Sequence, residues 1–396
     1  MRAEAVARET SKERHKNRNK IYTLAAVWVV GFCLRPSLTG IGSVMSLIRE
    51  TYGISSTVSG MLTTVPLITF ALCSSMVNRV NNRISTHTTI LLGFAAIILG
   101  VLVRSWLGLS GLFVGTVFLG IGICIGNVLM PAVIKSEFPD HYGIVTSVNS
   151  CMLAVSSGIA SGINYPNAQK IGWQSALCLW GLVALVGLAA WLPMKRVQVQ
   201  GTNAAATSFL RSRVAWSVTL FLGISSLLFY SCTSWLATIY AAKGLDGTTA
   251  GYFVSGFQLT GIVASFLISI LASRRKDQRP VTFAAIGIFA AGIFLILIGT
   301  SPAVLFAGGL LAGFGCNGSF ALSMLFIGLR AKNAEDTAGL SSMSQTYGYL
   351  IAAAGPLGMG WLFGLFGDWN INLVLILILL AALAFVSNTC AKEGTV

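Results

Sequence analysis

Charge is what this sequence has least of: 10% of its 396 residues are Asp, Glu, Lys or Arg, where a soluble domain carries about 25%. Acids are the scarcest. The twelve are Glu4, Glu9, Glu13, Glu50, Glu137, Asp140, Asp246, Asp277, Glu335, Asp336, Asp368 and Glu393, all in tails, in polar breaks or at the ends of apolar runs. No run therefore carries a carboxylate at its middle to relay a proton. The three histidines, His15, His87 and His141, lie in the tail or near run ends. No Gly-x-x-x-x-Gly-Lys loop is present, which argues against an ATP-driven pump. The apolar runs also lack a set of acid, base and metal ligands for hydrolysis or acyl transfer, so neither an enzyme nor a cofactor is expected.

What is abundant is apolar: 55% of the side chains, with a mean hydropathy of +0.79. A helix needs roughly 20 mostly apolar residues to cross a bilayer. Twelve such runs are legible, at 21–47, 57–77, 86–107, 109–134, 143–165, 171–194, 214–242, 247–272, 280–299, 302–330, 336–364 and 370–390. The short alternating segments of a β-barrel are absent, so the expected fold is all-α and polytopic. The net charge of +14 reads as a topology signal. If the N-terminus is cytoplasmic, all but five of the 26 Lys and Arg residues lie on that side. Arg49, Arg104, Lys170 and Lys243 lie opposite, and Arg35 lies inside the first run. Basic loops stay inside, which predicts cytoplasmic termini and a lipid bilayer, not nucleic acid, as the macroscopic partner. Of the eight cysteines, Cys390 lies near the cytoplasmic end and the rest lie within runs, and free thiols are expected.

The longest polar break, 195–213, divides a six-run half at 21–194 from another at 214–390, with a basic tail at 1–20 and a short one at 391–396. A weak repeat supports the division: setting Gly143 over Gly339 sets Asn149 against Gln345. Two such halves with one linker is the layout of carriers that bind solute between the halves at mid-membrane. Glycines at small-xxx-small spacing, such as Gly158 and Gly162, predict close helix packing. Pro36, Pro66, Pro131 and Pro356 predict kinks.

Arg35 is the one charge far from either end of its run, at a cost between about 3 and 10 kcal/mol or more. No acid is placed to offset it. An anionic ligand would, since the guanidinium is a permanent, planar donor fork; the alternative is a structural arginine bonded to carbonyls freed by Pro36. Thr39 continues the same polar stripe on the first helix. Asn127 on the fourth helix, Tyr230 and Trp235 on the seventh, Gln258 on the eighth, Asn317 on the tenth, and Gln345 and Tyr349 on the eleventh complete the candidate solute-binding set. Each amide also has a structural alternative in interhelical hydrogen bonding, and each aromatic in packing or an interface belt. Arg104, near the end of the third run, either guides anions or snorkels to headgroups.

Several stretches together resemble the cyanate/2-nitroimidazole porter family of the major facilitator superfamily: CLRPSLTGIGSVMSLIRETYGIS, GMLTTVPLITFAL, GIGICIGNVLMPAVIKSEFP, SLLFYSCTSWLATIY and TAGLSSMSQTYGYLIAAAGPLGMG. The resemblance implies a cytoplasmic-membrane carrier of a small polar, often anionic or nitrogen-rich solute. It carries Arg35, Pro36, Asn127, Pro131, Gln345 and Tyr349 over as motif positions. The superfamily's loop signature between helices two and three is altered here, with Asn78 where an Asp is usual and Ser74 and Asn81 where glycines are usual. The expectation is a monomeric transporter of such a solute. A broad small-drug efflux carrier and a non-transporting membrane receptor are the alternatives.

Overall fold

The computed structural model describes residues 20–194, 209–331 and 334–392. Among them it forms twelve long helices: α1 (Lys20–Tyr52, interrupted), α2 (Ser56–Ile84), α3 (Thr86–Trp106), α4 (Gly108–Glu137), α5 (Tyr142–Ile171), α6 (Trp173–Trp191), α7 (Arg213–Ala242), α8 (Gly247–Ser273), α9 (Arg279–Ile298), α10 (Pro302–Arg330), α11 (Ala334–Phe366) and α12 (Trp369–Cys390). The basic tail, most of the linker expected at 195–213 and the last four residues lie outside the described residues. All eight cysteines are free.

Polar breaks become helix starts because their side chains cap exposed backbone N–H groups. Ser55 accepts from Val58, Ser212 from Ala215, Asp246 from Thr248 and Thr249, and Asp368 from Asn370. Short connections within each half force successive helices to run antiparallel, and the start of α1 and the end of α12 lie at one end of the bundle, the near end. The other is the far end.

Three expectations are refined. The segment expected as a loop between helices two and three stays helical to Ile84, and Ser85 alone joins α2 to α3, at φ 106° with its hydroxyl accepting from Thr88. Among the described residues, eleven helices are long and apolar enough to cross a membrane by composition, and α5 is not one of them. It is nonetheless a 30-residue helix, packed between α6 and α8. The first helix is broken rather than continuous. It is helical over 20–34, resumes at Pro36–Thr39, turns through Gly40, passes a short 3-10 turn at Gly42–Val44 and ends with Met45–Tyr52. Pro36 lacks the N–H that would continue the ladder. Pro66 and Pro356, by contrast, sit inside unbroken helices.

The two halves pack alike internally, α3 on α4 and α6 as α9 packs on α10 and α12, and they meet through α2 with α11 and α5 with α8. The described α2–α11 contacts run in antiparallel register from the far end inward. A Cβ on Gly60 would lie 2.6 Å from the Pro356 carbonyl oxygen, and one on Gly360 would strike the Ser56 carbonyl. Deeper in, Thr64 Oγ1 donates to the Ala353 carbonyl at 2.8 Å, and the Phe70 and Tyr349 rings meet at 5.6 Å. Gly42 abuts the Thr233 carbonyl in the same way. Only glycine permits backbones this close, and these approaches seal the far end.

Candidate functional site

Arg35 sits where α1 stops and restarts. Its carbonyl accepts from the backbone of Leu38 and Thr39 and from Thr39 Oγ1. The backbone is thereby satisfied within α1, and the side chain leaves its own half. The guanidinium carbon lies 5.0 Å above the Phe229 ring of α7 and 5.8 Å from that of Phe320 on α10. Among the described residues the guanidinium has no hydrogen bond to a carbonyl and no carboxylate partner, so the structural reading in which Pro36 frees its partners does not hold. Each ring contributes about 0.5–2 kcal/mol at most. Against at least ~3 kcal/mol for an arginine at mid-membrane, the rings lessen the cost without neutralising the charge.

Around that charge the structure gathers side chains from both halves. Phe229 packs edge-on to Tyr230 at 5.2 Å, and Tyr230 faces Tyr349 at 6.4 Å between ring centroids. Both rings lie beside Arg35. Phe70 closes the side toward α2, with the Cys124 thiol 3.8 Å from the Phe70 carbonyl. Arg35, Tyr230 and Tyr349 of the expected set thus come together. Phe70, Phe229 and Phe320 were not expected. The alignment that sets Asn149 against Gln345 also sets Cys124 against Phe320, and it is the one signal that pointed there.

The rest of the set divides. Thr39 is spent on the Arg35 carbonyl and is buried. Asn127 is half-buried on α4 with no described partner for its amide. Gln345, one turn from Tyr349, is half-buried and donates only to Ser341 within α11, at 3.0 Å. Three others serve packing within the second half. Trp235 donates to the Pro356 carbonyl at 2.9 Å and packs on Trp369. Gln258 donates to Thr233, and Asn317 donates to the carbonyls of Phe257 and Gly313.

Arg104 neither guides nor snorkels in this structure. It is 1% exposed, and its Nη1 donates to the Ser37 carbonyl at 2.7 Å, within its own half. Asn164 of α5, held by Trp180, donates to the Gly40 carbonyl at 2.8 Å. The break in α1 is therefore pinned from α3 and α5, which fixes where Arg35 starts.

Twelve helices in two similarly packed halves, with an arginine where they meet that has no acid partner among the described residues, is a carrier's plan. The family model of the Major Facilitator Superfamily matches residues 27–356. The chain belongs to the major facilitator superfamily. It is 34% identical to the 2-nitroimidazole transporter of Escherichia coli (strain K12) over 382 residues, 94% of this chain and 96% of that one. It is 26% identical to the cyanate transport protein CynX of the same organism over 353 residues, 87% of this chain and 91% of that one. These place this facilitator with the porters that its helix-one and helix-eleven motifs resemble. A solved bacterial homologue of the human lysosomal transporter Spinster, in an inward-facing, occupied conformation, superposes with a TM-score of 0.76 at 14% identity, covering 94% of this chain and 97% of that one. At that identity the likeness is one of fold. The facilitator is a multi-pass membrane transporter and not an enzyme.

Proposed function

We propose that this transporter moves a small anionic or polar nitrogen-containing solute, cyanate- or nitroimidazole-like, across the cytoplasmic membrane by alternating access, as a monomer with both termini inside. The observation that carries the reading is Arg35, which crosses from the first half to Phe229 and Phe320 of the second without meeting an acid among the described residues. A small anion there would gain the guanidinium fork and the Tyr230 and Tyr349 hydroxyls, and it would bridge the halves. Asn127 and Gln345 are the amides placed to read the rest of the solute. The division into halves at 195–213 leaves each free to rock, and the sealed far end then corresponds to a carrier closed to the outside.

The aromatic walls favour a second reading, a carrier of small flat uncharged drugs that does not use the charge. Thermal shifts of the detergent-purified protein separate the two, with cyanate, nitrate, bicarbonate, small carboxylates and nitroimidazoles as probes. A ligand of the folded state raises its apparent stability by mass action. A shift by an anion that disappears in both Arg35→Ala and Arg35→Lys is expected. Anion shifts that survive in Arg35→Ala would overturn the reading, and shifts by neutral nitroimidazoles alone would install the second.

A further inference from the structure

We propose that the Arg35 site makes this protein an exchanger: it reorients readily with an anion bound and poorly when empty. The inference rests on the anion reading of the same site and adds its mode of transport.

The argument is one of charge at the moment both ends are closed. In this structure Arg35 is half-buried and the far end is already sealed by the close approaches at Gly42, Gly60 and Gly360. Alternating access requires the near end to close before the far end opens. Arg35 then loses its remaining contact with water. The groups that face it are Phe229 and Tyr230 of α7, Phe320 of α10 and Tyr349 of α11, with Phe70 of α2 and Cys124 of α4 behind Tyr349. None of them is a carboxylate.

Among the described residues no acid is within reach. Asp336 lies thirteen residues before Tyr349 on α11, about 20 Å along a helix. Glu137 lies the same thirteen residues beyond Cys124 on α4, again about 20 Å away. Glu50 is at the far end of α1 and exposed. The other cation buried in this half, Arg104, is engaged on the Ser37 carbonyl and adds positive charge rather than offsetting it.

An empty carrier must therefore pass through its closed state with an uncompensated buried cation, whereas a carrier holding a monoanion passes through neutral. A buried charge stripped of its partner is costly enough to slow that passage on the order of a hundredfold. Loaded transit moves no net charge through the membrane field. Empty return moves one positive charge and so responds to voltage. With no acid or histidine at the site to carry a proton, the empty return has no second way to become neutral.

The test uses the wild-type protein in proteoliposomes, with carbon-14 cyanate, formate and bicarbonate as external probes. Vesicles are loaded with either the same unlabelled anion or gluconate. For the transported probe, uptake into anion-loaded vesicles should exceed uptake into gluconate-loaded vesicles at least about tenfold. Anion-loaded uptake should be unchanged by an imposed potential, and gluconate-loaded uptake should respond to it. Equal rates in the two loadings, or net uptake driven by a pH gradient, would overturn exchange while leaving the anion reading standing. Uptake of none of the three in either loading, together with no thermal shift by any anion of the panel, would overturn both.

Discussion

Two arginines in one half of this protein have opposite surroundings. Arg104 lies inside the half, with a guanidinium nitrogen on the Ser37 carbonyl and 1% of its surface exposed. Arg35 lies where the halves meet, half-exposed, leaning on two phenyl rings that belong to the other half. Neither has a carboxylate among the described residues. The first is engaged by its own half and holds α1 in shape; the second is left for something that the protein does not itself supply. Residues inside a half should therefore govern stability, and residues at the meeting plane should govern ligand and conformation.

The largest expected effect tests the meeting plane. Gly60→Ala drives a methyl against the Pro356 carbonyl, and overpacking of this kind costs about 1–3 kcal/mol. The cost falls only on the state closed at the far end, so the population should shift roughly 5- to 150-fold toward the far-end-open state. Maleimide labelling of Thr64→Cys in a cysteine-free background, from outside intact cells, should accelerate accordingly. Unchanged labelling would show that the far-end seal does not depend on this contact.

The arginines themselves give the next effect, with opposite signs. Arg104→Met strands the Ser37 carbonyl and should lower ligand-free stability by about 1–3 kcal/mol. Arg35→Met removes an unpaired charge and should leave ligand-free stability equal or higher by about 1–2 kcal/mol. Melting temperatures of the two purified variants without ligand decide the matter. A loss at both positions would dissolve the contrast between them.

Trp235→Phe removes the hydrogen bond to the Pro356 carbonyl, worth about 1 kcal/mol. Melting should fall slightly while the anion-dependent shift persists. A lost anion shift would return Trp235 to the binding site.

The smallest effect lies outside the membrane altogether. Asp277 in the α8–α9 connection accepts from three N–H groups of Arg279, Nε and Nη2 of the side chain and the backbone N–H, which hold its carboxyl down at about 2 from an ordinary 3.8. Because the folded-state value is depressed, its contribution is complete above the ordinary value and is lost as pH falls from about 4 toward 2. Asp277→Asn should therefore flatten the acid limb of the stability profile slightly and leave transport at neutral pH untouched.

How far the sequence could be read follows from what each feature depends on. Spans were legible because hydropathy is a local sum that lipid enforces. The break after Arg35 was legible only as a kink at Pro36; its extent through Val44 is held by Arg104 and Asn164, which stand 67 and 124 residues away from the carbonyls they bind. At the site, Arg35, Tyr230 and Tyr349 were found because polar groups stand out in apolar helices. Trp235, Gln258 and Asn317 stood out equally but had found carbonyl or hydroxyl partners nearby, and no spacing rule separates the two cases. Phe70 and Phe229 were invisible because a phenylalanine in an apolar helix carries no signal of its own, and Phe320 shows only through the internal repeat that sets it against Cys124.

Order and composition alone determined that this chain is a twelve-helix membrane protein whose first helix carries a charge with no acid to match it, because both facts are inventories. Which arginine bonds within its own half, which amides are engaged and which rings face the charge were decided only by the tertiary structure. Those outcomes depend on atoms brought together from helices far apart in the chain, at distances of a few ångströms that no local pattern encodes.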